Sequence, residues 1–179
     1  MHSIRPIVLL ACAALTLPRF ASAQGIPRGS APPGTPRGEP VSGIACDAME
    51  GNRIHIHQHL VLLDHGKPVP IPPDVGQIPE RNCLYWIHTH TPDGIIHIES
   101  PQSRTFTLAD FFAVWGQPLS RTQVASMRVA KGTTLKIWVN GKPYHGDPRT
   151  IPLLAHADIV IEAGPPFPPP PRFTTWGRL

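Results

Sequence analysis

The sequence predicts an α+β or mainly β fold, an antiparallel hairpin sheet covered by one amphipathic helix, with a β-sandwich as the alternative architecture. Three observations carry this expectation. Segments 52–63, 83–99, 133–139 and 158–162 are rich in β-branched and apolar residues, and in the first two these alternate with polar ones. Turn formers separate or close several of them, at Asp64-His65-Gly66-Lys67, Thr91-Pro92-Asp93-Gly94 and Asn140-Gly141. Only one helical stripe is evident: Leu108, Phe111, Phe112 and Trp115, spaced i, i+3, i+4, i+7.

From the N-terminus, Met1 to Arg5 is a short basic stretch, residues 7–17 are apolar, and Ala21-Ser22-Ala23 has the small-residue pattern of a cleavage site. Residues 1–23 are therefore expected to be a signal peptide, leaving an exported, periplasmic or secreted chain. No later apolar run is long enough to span a membrane. Residues 24–40 are mostly Pro, Gly and small polar residues, expected as a disordered linker. The single folded, histidine-rich domain is placed at 41–164. Residues 165–179 open with seven residues of which six are proline, and are expected as a disordered tail. Either proline-rich end could meet a protein partner with an aromatic groove.

The formal charge of +4 does not indicate a nucleic-acid partner. Without Arg5 and Arg19 the chain has 14 basic and 12 acidic residues, and 41–164 carries 10 against 11. Cys12 falls in the leader, so Cys46 and Cys83 remain, and an even pair in an exported protein is expected to form a disulfide. The rival reading makes Cys83 a thiolate ligand. Strand parity opposes it, because Cys83 and His88 point to opposite faces.

In 52–63 the even positions Ile54, Ile56, Leu60 and Leu62 form a core face interrupted by Gln58, while His55, His57 and His59 share the other face. The return strand after Gly66 should be short and at an edge, since Pro68 and Pro70 cannot donate ladder hydrogen bonds. In 83–99, a hairpin closed by a four-residue loop pairs His90 with Ile95, His88 with His97 and Trp86 with Glu99. Thr107 and Asp110 form a helix-opening pattern, and Gly116 is placed to end that helix. The segment 60–68 resembles 135–143 in pattern, down to a shared Gly-Lys-Pro, but the second copy lacks the histidines. The hairpin is thus the structural unit and the histidines an addition to one copy.

Seven of the ten histidines lie between His55 and His97. His88, His90 and His97 are the expected metal ligands, with His57 or His59 next, and His55 and Glu99 within the same candidate set. One histidine on a sheet face is ordinary, but six on matching faces call for chemistry. Zn or Cu suits an imidazole set far from the methionines Met49 and Met127. The leading functional expectation is an exported soluble metal-binding protein. The alternatives are a hydrolytic or oxidative metal-dependent enzyme, in which Glu99 would be the general base, and a non-catalytic interaction module with incidental histidines. The sequence lacks G-x-S-x-G, H-E-x-x-H and a phosphate-binding Gly-rich loop, which gives serine and nucleotide chemistry no support.

The block C-L-Y-W-I-H-T-H-T-P-D-G-I-I-H-I-E-S-P, with the upstream H-I-H-Q-H-L and the later T-L-A-D-F-F-A-V-W-G-Q-P-L, resembles a group of exported bacterial proteins. The resemblance covers about Cys46 to Gly164. It implies a recurring exported module and carries over no activity, cofactor or site residue.

Overall fold

The computed structural model describes residues 34–179, so the expected signal peptide and most of the linker lie outside the described residues. Along the chain run β1 (Cys46–Asp47), β2 (Ile54–Asp64), β3 (Lys67–Val69), β4 (Gln77–Ile78), β5 (Cys83–Tyr85), β6 (Ile87–His88) and β7 (Ile95–Ser100). After these come α1 (Leu108–Trp115), β8 (Gln123–Val124), β9 (Met127–Arg128), β10 (Lys136–Val139), β11 (Lys142–Pro143) and β12 (Ala157–Ala163). Among the described residues the class is the expected one, mostly antiparallel β with a single α-helix.

The main sheet has the order β11-β10-β12-β2-β7-β6, with β3 also paired to β2. The eleven-residue β2 organises it. Its residues 54–59 pair antiparallel with β7 and its last three with β3, while β12 takes the opposite edge. The β12–β2 pairing is parallel, which departs from the expected all-hairpin sheet. It joins strands separated by about half the chain, and no local turn signal announces such a contact. The β2–β3 and β10–β11 hairpins form at both copies of the repeated pattern, with His65-Gly66 and Asn140-Gly141 all at positive φ.

Strand alternation sends Leu60, Leu62, Ile87, Ile96, Ile98, Ile159 and Ile161 into one core, and α1 covers that face. The helix forms as its sequence dictates. Thr107 and Asp110 make the capping box, the last turn closes on Gly116 at φ 69°, and Leu108, Phe111, Phe112 and Trp115 are buried. Truncating Phe111 or Phe112 would cost about 3–5 kcal/mol. Gln58 interrupts this face and is fully buried, with no partner for its amide among the described residues.

A second sheet, β1-β5-β4, is stapled by the Cys46–Cys83 disulfide, with Cα atoms 5.3 Å apart. Cys83 is thereby removed from any ligand set. Beside the disulfide, Trp86 Nε1 donates to Asp47 at 2.6 Å, which holds β1 and its following loop against the entrance to β6.

The two proline-rich ends make defined contacts where they are described. The Tyr85 hydroxyl donates to the Glu39 carbonyl (2.6 Å) and accepts from the Gly38 amide (2.9 Å). Residues 165–179, expected as a disordered tail, contain no helix or strand. Phe173 nevertheless stacks on His59 with ring centroids 4.1 Å apart, its amide donates to Asp158, and Trp176 stacks on His156.

Candidate metal centre

The sheet face away from α1 carries the histidines, and three strands bring them together. In the register, His57 lies opposite His97 across β2 and β7, and His88 lies opposite His97 across β7 and β6. His55 lies opposite Glu99. The central strand β7 therefore carries His97 and Glu99 between histidines on both sides. The expected His88–His97 pair forms, and Glu99 N donates to the Trp86 carbonyl at 2.8 Å, as that register requires.

The expected His90–Ile95 pair does not form, because the β6 ladder stops at His88. Thr89 holds the chain elsewhere: its amide donates to the Val75 carbonyl, and its hydroxyl accepts from Val75 N and donates to the Pro72 carbonyl. The turn itself is the predicted one. Asp93 accepts from Ile95 N, and Gly94 takes φ 81° against the Leu60 carbonyl, where a Cβ would come within 2.5 Å. His90 remains exposed, yet its ring comes back over the site, with Nε2 3.2 Å from His88 Nε2.

Two overlapping groups have ligand atoms all within 4.8 Å of one another: His55, His57, His97 and Glu99, and His88, His90, His97 and Glu99. Within them Glu99 Oε1 is 3.2 Å from His55 Nε2 and 3.7 Å from His97 Nδ1, and Oε2 is 3.8 Å from His88 Nε2. Six of the seven candidate residues are thus convergent. His59 is the exception. Its Nδ1 sits 3.0 Å from Asp158 Oδ1, and Phe173 covers its ring.

Burial favours the neutral form of His57, His88 and His97. His88 is fully buried, and its pKa is lowered to about 4, first by burial. His97 is lowered to about 3 by burial, then by His57, His90 and His88. His57 is lowered for the same first reason, with His55 next. Burial pushes Glu99 up, as does the nearby Glu50 charge, while His55 opposes the shift. Imidazoles that stay unprotonated offer lone pairs over the whole physiological range.

The hydrogen bonds assign those lone pairs. His88 Nδ1 lies 2.9 Å from the Tyr85 carbonyl, which can only accept, so Nδ1 carries the proton and the bare Nε2 faces Glu99 and His90. Gln77 Nε2 donates to the Thr89 carbonyl and lies 3.1 Å from His90 Nδ1. That nitrogen is a donor, so His90 Nδ1 accepts, and the His90 proton sits on Nε2 facing His88. Among the described residues, two buried ligand atoms, His97 Nδ1 and Glu99 Oε2, have no hydrogen-bond partner other than the Glu50 carboxyl, which bonds Glu99 when one of the two is protonated.

Sequence reasoning missed Glu50 and Gln77. Glu50 reaches the site because the disulfide and the Asp47–Trp86 bond fix the segment before β2, and Gln77 arrives on β4. Both line a groove of about 330 Å³ with His90, Asn82 and Leu84. Neither residue stands at a spacing that links it to the histidines. Among the described residues, no helix is long and apolar enough to cross a membrane. Compared with protein-family models, with curated proteins and with solved structures, the chain matches none.

Proposed function

We propose that this is an exported protein that binds a divalent transition metal ion, Zn(II) or Cu(II), on the histidine face of its main sheet. The observation that carries the reading is the pair of buried atoms His97 Nδ1 and Glu99 Oε2, which among the described residues find no partner beyond a proton that Glu99 can share with Glu50, beside the neutral rings of His88 and His97. Leaving such groups unpaired in a folded protein costs about 1–3 kcal/mol each. A cation satisfies both, and imidazole nitrogen with one carboxylate is a donor set that suits Zn(II) and Cu(II). The Tyr85 carbonyl holds His88 in the ligating tautomer. The disulfide agrees with an oxidising compartment, in keeping with the signal-like N-terminus.

A second reading, a metal-dependent enzyme, is favoured by the groove beside His90 and Glu50, which gives a small molecule access to the edge of the cluster. A bound ion would supply Lewis acidity or an activated water there, and Glu99 or Glu50 could accept a proton.

The test is calorimetric titration of the chelator-stripped, untagged chain with Zn(II) and with Cu(II). Saturable binding in the parent that is lost in a His88→Ala, His97→Ala variant supports the proposal. Absence of binding by a folded parent, for both ions, overturns it.

A further inference from the structure

We propose that the cluster holds two ions bridged by the Glu99 carboxylate, one taken by His55 and His57 and the other by His88 and His90. This rests on the reading of the histidine face as a metal centre. Topology is the first support. β7 carries His97 and Glu99, and it has β2 on one side and β6 on the other, so the two histidine pairs flank it from opposite edges. Neighbouring strands are about 4.8 Å apart, which puts the outer two roughly 10 Å from each other.

Distances are the second support. Ligands about 2.0–2.1 Å from a tetrahedral ion lie about 3.3 Å from one another. That edge length already exists twice, once on each side of Glu99. His55 Nε2 is 3.2 Å from Glu99 Oε1, and His88 Nε2 is 3.2 Å from His90 Nε2, the second now held by the His90 Nε2 proton, which an ion would displace as His90 shifts its proton to Nδ1 and turns from Gln77. The two carboxylate oxygens divide in the same sense, Oε1 towards His55 and His97, Oε2 towards His88. A carboxylate placed this way is a bridge.

Ligand number is the third. A mononuclear site uses three or four protein ligands. The two convergent groups share only His97 and Glu99, so a single ion would leave one histidine pair unused. A neutral imidazole has one lone pair and serves one ion. Its Nδ1, 3.7 Å from Oε1, assigns His97 to the His55–His57 side. The His88–His90 side opens on the groove that Glu50 lines, so a second carboxylate stands near the ion with fewer protein ligands.

The experiment loads the untagged, full-length chain with Cu(II), removes excess ion, and measures both copper per chain and the EPR spectrum. The parent is expected to hold two ions per chain with a spin-coupled, half-field signal. A His55→Gln, His57→Gln variant and a His88→Gln, His90→Gln variant are each expected to hold one ion and to show an uncoupled spectrum. Glu99→Gln, which keeps the side-chain shape, is expected to abolish the coupled signal. One ion per parent chain overturns the two-ion centre and leaves metal binding standing, as does loss of all copper from either double variant that still folds. Two ions without coupling overturn the bridge. No ion in the parent overturns the metal reading itself.

Discussion

His57 and His59 are two residues apart on β2 and point to the same side of the sheet, yet their surroundings differ in kind. His57 faces His97 across β7, in a region where buried imidazoles and a carboxylate converge with atoms left unpartnered. His59, by contrast, has its hydrogen-bonding met by Asp158 and its ring covered by Phe173. The same residue at the same strand spacing is a ligand candidate on the β7 side and a packing residue on the β12 side. What separates them is whether the neighbours satisfy the polar atoms, and strand periodicity does not carry that information.

The contrast between the two sides is tested most severely at β7. His97→Ala is expected to weaken binding of the ion on the His55–His57 side by more than about 100-fold, above the usual cost of losing a mere supporting partner. Calorimetric titration beside His59→Ala checks it. The next largest effect falls on stability. Replacing Cys46 and Cys83 by serine opens a closed loop with a sequence separation of 37 and is expected to cost about 4 kcal/mol in urea unfolding under non-reducing conditions. The β7 side should suffer more than the β12 side in this variant, because the disulfide also places Asp47 and Glu50. Weakened metal binding without loss of fold would show it.

Acid separates the two sides in a third way. In the chain without metal, the unfolded His88 takes up its proton near pH 6.5 and the folded one only near pH 4. The unfolded state therefore binds more protons between these values, and stability is lost as pH falls through that window, by about 3 kcal/mol for His88 alone. His97, lowered to about 3, adds to the loss. Glu99 works against it, since a raised carboxyl pKa favours the folded state on acidification. Urea unfolding from pH 7 to pH 4 should show the decline, and His88→Gln should flatten it. A parent curve without slope would contradict the burial of neutral rings. The smallest effect is expected on the β12 side, where His59→Ala should lower stability by about 1–2 kcal/mol through the lost Asp158 contact and aromatic stack and leave metal affinity unchanged.

Much of this arrangement is legible in the sequence. The His88–His97 pairing follows from period-two alternation plus a turn whose residues fix its register. The helix announces both of its ends, through Thr107, Asp110 and Gly116. The Cys46–Cys83 bridge follows from cysteine number and parity. Other features depend on contacts between distant segments. The parallel β12–β2 pairing is long-range, and it is what puts Asp158 beside His59 and withdraws that histidine from the site. Gln77 and Glu50 reach the cluster through the small sheet and the disulfide. The departure at His90 comes from Thr89, whose hydrogen bonds to residues 72–75 end the ladder one residue early.

The most direct test of the central claim is metal analysis of the untagged chain as purified, for the parent, His97→Ala and His59→Ala side by side. Equal metal in the parent and in His59→Ala, with less in a folded His97→Ala from which the ion on the His55–His57 side is gone, is the expected result. Equal metal in parent and His97→Ala, or loss in His59→Ala alone, would contradict it.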